Sequence, residues 1–63
     1  MTEIYLRYGK TPYLFDIRQL KLFRLKGGNQ IEIKNSETLR QVRLSAREIS
    51  RELAFRLALD YEK

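Results

Sequence analysis

Apolar and polar residues alternate along much of the first two thirds of the chain. Ile4, Leu6 and Tyr8 share one side of an extended segment, with Tyr5 and Arg7 on the other. Tyr13, Phe15 and Ile17 repeat the period after the turn Gly9-Lys10-Thr11-Pro12. A period of two marks a half-buried strand, and proline lacks the amide that a ladder needs, so Pro12 belongs in the turn or at a strand's first position. Phe23 and Leu25 alternate with Arg24 and Lys26, and Gly27-Gly28-Asn29 then reverses the chain. Ile31 and Ile33 alternate with Gln30, Glu32 and Lys34. Asn35-Ser36-Glu37 reads as another turn, after which Val42 and Leu44 alternate with Gln41 and Arg43. The pattern predicts five short strands within residues 3–44, joined as consecutive neighbours.

The period then changes. Ser45-Ala46-Arg47-Glu48 has the form of a capping box, in which Ser45 accepts from a first-turn amide and Glu48 reaches back to the Ser45 backbone. Ala46, Ile49, Leu53, Leu57 and Tyr61 follow at steps of three or four, which draws one helical stripe. The expected fold is a mainly β single domain spanning residues 1–63. Residues 1–44 form a small five-stranded barrel or half-barrel, a two-stranded hairpin plus a three-stranded sheet, and residues 45–62 form a C-terminal helix over its open side. Ile49, Leu53 and Leu57 are expected against Leu6, Phe15, Phe23, Ile31, Ile33 and Val42.

Composition removes most chemistry. The chain has 63 residues with no cysteine and no histidine, so it offers no disulfide, no thiolate metal site and no imidazole base. The acidic residues form no Asp-x-Asp calcium loop, and there is no phosphate-binding glycine loop or nucleophile–base set. Neither an enzyme nor a cofactor is expected. Apolar runs stop at two or three residues, so neither a membrane span nor a secretion signal is expected, and the expected location is the cytoplasm.

Charge adds more. The net charge is +5, and nine basic residues against four acidic ones precede Ser45, while four of each follow. A one-sided basic surface attracts polyanions. By alternation one outer sheet face collects Leu22, Arg24, Lys26, Gln30, Glu32, Lys34, Gln41 and Arg43, with Lys21 and Arg7 as further basic candidates. Arginines on such a face contact phosphate or a narrow minor groove, and Gln30 and Gln41 can bond base edges. On the helix, Phe55 and Leu59 form a second apolar patch away from Leu53 and Leu57, which suits a homodimer.

Two segments resemble a known family. Phe15-Asp16-Ile17-Arg18-Gln19-Leu20-Lys21-Leu22-Phe23-Arg24-Leu25-Lys26-Gly27 resembles a stretch of the seven-kilodalton chromatin proteins of thermoacidophilic archaea, with apolar anchors at Leu20 and Phe23. Ser45-Ala46-Arg47-Glu48-Ile49-Ser50-Arg51-Glu52-Leu53 resembles the start of their C-terminal helix, and Ile4, Leu6, Arg7 and Tyr8 fit their first strand. The resemblance implies an SH3-like barrel that coats duplex DNA through its minor groove, in a nucleoid-associated setting. Arg24 stands where the family has a sheet-face tryptophan, and Asn29-Gln30 aligns with its wedge region. The expected function is therefore sequence-tolerant duplex-DNA binding through arginine and lysine, without strong intercalation. The competing reading is a protein-binding module, natural or designed, that uses the same sheet face.

Overall fold

The computed structural model describes residues 3–61. Five antiparallel strands, β1 (Glu3–Tyr8), β2 (Thr11–Asp16), β3 (Lys21–Lys26), β4 (Asn29–Ile33) and β5 (Arg47–Ile49), form one sheet in the order β4-β3-β2-β1-β5. Helix α1 (Ser36–Ser45) joins β4 to β5, and helix α2 (Arg51–Tyr61) ends the described chain. The mainly β class with five strands and a terminal helix is as expected, but only β1 to β4 are strands that the alternation predicts, and the fifth comes from another segment. The closed barrel is not: the sheet is open, and β2 pairs with both β1 and β3, so hairpin and three-stranded unit are one continuous sheet.

The strands follow from local chemistry. Gly9 and Gly27 take positive φ in the turns that close the β1–β2 and β3–β4 hairpins, where a side chain would be strained. Asp16 Oδ1 accepts from the amides of Arg18 and Gln19 at 2.9 and 3.2 Å and so bends the chain between β2 and β3. Pro12 sits opposite Arg7 on β1, just past the last β2–β3 pair, Tyr13 with Arg24. Its missing amide therefore removes no pairing on the β3 side.

Both sheet faces carry a core, and adjacent residues of β2 serve opposite sides. Leu14 and Leu25 pack with Ala54 and Ala58 of α2, joined by Tyr5, Phe23 and Ile49. Tyr13 and Leu22 pack with Val42 of α1, joined by Leu6, Tyr8, Phe15, Ile33, Leu39 and Ala46. A single closing helix cannot produce this arrangement, and the segment read as the last strand is the reason. Residues 40–44 are helical. The Asn35 side chain accepts from the amides of Glu37 and Thr38 at 2.9 and 3.1 Å, capping α1. Leu39, Val42 and Ala46 then meet the sheet at helical spacing, while Leu44, expected inside, is 73% exposed.

The expected start of the terminal helix also moves. Arg47–Ile49 is extended because it pairs with the free edge of β1, Tyr5 opposite Ile49 and Arg7 opposite Arg47. The Ser45–Glu48 capping box therefore does not form. Ser50 takes over: its Oγ accepts from the Leu53 amide at 3.2 Å, and its carbonyl accepts from the Ala54 amide at 3.0 Å. Starting later rotates the buried face from Leu53 and Leu57, which are half-buried, to Ala54 and Ala58, which are fully buried. Two alanines let α2 approach the sheet closely, and the Gly27 amide donates to the Ala58 carbonyl at 3.1 Å. Ile31, expected in the core, is 46% exposed on the edge strand. The packing expected of Tyr61, and residue 62 at the end of the expected helix, lie outside what the structure describes.

The α2 core is tested by two substitutions. Leu14→Ala should cost about 2–5 kcal/mol, a large part of the total stability of so small a domain. Leu53→Ala, at a half-buried site, should cost less than half as much. Urea unfolding of both variants checks the order, and an equal or larger loss for Leu53→Ala would contradict the assigned face.

Candidate functional site

Strand register sorts the charged side chains between the two faces. On the α2 side lie Arg7, Lys21 and Arg47 of the sheet with Arg51 and Arg56 of the helix. Five acids share that side: Glu3, Asp16 and Glu32 of the sheet, with Glu52 and Asp60 of the helix. That side is balanced. On the α1 side lie Arg24 and Lys26 of β3 and Arg40 and Arg43 of α1, against only Glu37 and Glu48. The remaining described cations are Lys10 and Arg18, in the turns at either end of β2, and Lys34, in the link between β4 and α1. The positive excess thus belongs to the α1 layer and the turns.

The outer face expected from alternation does not survive as a unit. Leu22 is buried at 2% exposure beneath α1 and is a core residue. Gln30, in register with Leu25, projects from the α2 side, as do Lys21 and Arg7, so these three are separated from the other candidates by the sheet itself. Gln41 and Arg43 lie on a helix and not on a strand. Arg24, Lys26, Gln41 and Arg43 remain together on one side, with Arg24 half-buried and the other three exposed, while Lys34 falls in the link beyond the β4 register. Gln41 is engaged, since its Oε1 accepts from the Tyr8 hydroxyl at 3.3 Å and ties α1 to β1.

Arg40 was missed because its segment reads as a turn entering a strand. The signal was present: Asn35 with Glu37 in the first turn, then Leu39, Val42 and Ala46, spells a capped helix and puts Arg40 and Arg43 on its outer flank. Between α1 and the sheet runs an open groove of about 570 Å³, lined by Ile4, Leu6, Phe15, Leu20, Leu22, Leu39, Val42 and Ala46, with Arg43 the one charged lining residue. Leu20 is 74% exposed and has a φ of 55°, the left-handed region that costs a branched side chain roughly 1–2 kcal/mol.

The helical patch proposed for self-association is partly spent. Phe55 lies 5.9 Å from the Tyr5 ring at a tilt of 55°, and the Arg51 guanidinium sits 5.5 Å from its centroid. Phe55 keeps 37% exposure and Leu59 60%. Among the described residues no cluster of acidic side chains could hold a metal ion, and no helix is long and apolar enough to cross a membrane. Comparison of the chain with protein-family models, with curated proteins and with solved structures gives no match.

The layer depends on the Asn35 cap. Asn35→Ala should weaken α1 by about 1 kcal/mol. Amide hydrogen exchange should then speed up for residues 38–45 while β2 and β3 keep their protection. Uniform loss of protection throughout the chain would contradict a separately held α1.

Proposed function

We propose that this chain binds duplex DNA with little sequence preference, through the α1 layer and not through a bare sheet face. The observation that carries the reading is the sorting of charge: a balanced α2 side, and an α1 side with four basic groups against two acidic ones. Lys26, Arg40 and Arg43 are exposed and long enough to meet phosphates, which supply affinity and no base information. The intercalating route of the chromatin proteins that the sequence resembles has no support here. The one apolar residue on the expected docking face, Leu22, is buried. Binding of this kind leaves DNA less bent than a wedge does, and it fits a nucleoid-associated protein.

The groove favours a second reading, a protein partner. An apolar floor with Arg43 at its lip and an exposed, strained Leu20 at its mouth suits an acidic amphipathic helix. One titration separates the two. Binding to a random duplex should fall steeply with salt, and Arg40→Gln and Arg43→Gln should each lower the slope of log K against log salt by about one. Arg56→Gln and Glu32→Gln, both on the α2 side, should leave it unchanged. Leu20→Gly should leave DNA binding intact. No affinity for DNA at low salt, or equal effects of Arg56 and Arg43, would remove the DNA reading. Retained binding of an acidic amphipathic peptide that Leu20→Gly weakens would then support the protein reading.

A further inference from the structure

The two edges of the sheet are unlike. β5 is three residues long and begins with the charged pair Arg47-Glu48, the usual protection of an edge against pairing with another chain. β4 is five residues long, has no proline or lysine, and exposes Asn29, Gln30, Ile31 and Glu32. Neither helix covers it: α2 packs on β2, β3 and β1, and Val42 of α1 packs with Tyr13 of β2 and Leu22 of β3.

From this we infer that β4 pairs antiparallel with β4 of a second copy, extending the sheet across a two-fold axis at Ile31. The two-residue turn makes Lys26 and Asn29 the closing pair of the β3–β4 ladder. By the alternation of antiparallel pairing, Ile31 and Ile33 turn their backbone groups to β3, while Gln30 and Glu32 turn theirs outward. Centred on Ile31, the pairing matches those outward groups, Gln30 of each copy with Glu32 of the other. It sets Ile31 against Ile31 in a close pair and Asn29 against Ile33. Every facing pair shares a sheet face, and no like charges meet. A shift of one residue would oppose side chains from different faces. A shift of two residues toward the C-terminus would set Glu32 against Glu32. The occupant that fits this edge is therefore the chain itself, and the inference stands apart from the DNA reading.

The absence of cysteine from the whole sequence makes the register directly testable. Sedimentation from micromolar to millimolar concentration should show the mass double. Ile31→Lys, which opposes two ammonium groups at the axis, should hold the protein monomeric with its far-ultraviolet spectrum and thermal transition unchanged. Under mild oxidation Ile31→Cys should give a disulfide-linked dimer. Ile33→Cys should not, since its Cα atoms stand about 14 Å apart along the strands in this register, beyond disulfide reach. A monomer at every concentration would overturn the inference. So would a dimer that Phe55→Glu abolishes and Ile31→Lys leaves intact, or equal cross-linking at positions 31 and 33.

Discussion

Everything in this small domain depends on the two-sided burial of β2. Tyr13 and Leu14 are neighbours in sequence, yet each belongs to a different core, one under α1 and one under α2. Pleating sends consecutive side chains to opposite faces, so a strand buried at both residues needs a cover on each side. Residues 3–61 supply two short helices, and the links to them dictate the topology. α1 runs from the β4 edge to the β5 edge over one face, and α2 covers the other. The covers differ in kind. Ala54 and Ala58 bring α2 into close contact, whereas α1 rests on Val42, Leu39 and Ala46 and leaves a groove beside it.

Two-sided cover also decides where function can reside. A β-sheet with one bare face presents its outward residues as a docking surface, but here neither face is bare. The exposed charges therefore lie on helices, turns, strand ends and the two edge strands. Register then assigns them unequally, since each strand residue's face is set by its neighbours' pairing. Arg7, Lys21 and Arg47 share the α2 side with Glu3, Asp16 and Glu32, and their fields largely cancel. α1 contributes Arg40 and Arg43 with one acid, Glu37, placed at its N-terminus where it favours the helix dipole.

Much of the fold is legible in the sequence where local pattern and tertiary demand agree. β1 to β4, their turns and the terminal helix follow from alternation, glycine and an amphipathic stripe. Two segments are not legible by alternation because it describes them equally well in the wrong state. Gln41 to Leu44 alternates, but Asn35 caps a helix and Leu39, Val42 and Ala46 complete its buried spacing. Arg47 to Ile49 lies inside a plausible capping box, but the free edge of β1 recruits it as a strand, and Ser50 becomes the cap. Both errors bear on the candidate site. Reading 40–44 as a strand leaves one sheet face uncovered, which exposes Leu22 and merges residues from opposite sides into one surface. Correcting that single segment buries Leu22, separates Gln30, Lys21 and Arg7, and brings Arg40 into view.

On the proposed function, contact with a polyanion is confined to one side of a sheet covered on both. Mapping backbone amide shifts by nuclear magnetic resonance, as an unlabelled random duplex is added at low salt, tests it residue by residue. The changes should concentrate at Lys26 and residues 39–44 and fade as salt is raised. Changes centred on Arg47, Arg51 and Arg56 instead, or spread evenly over both helices, would contradict it.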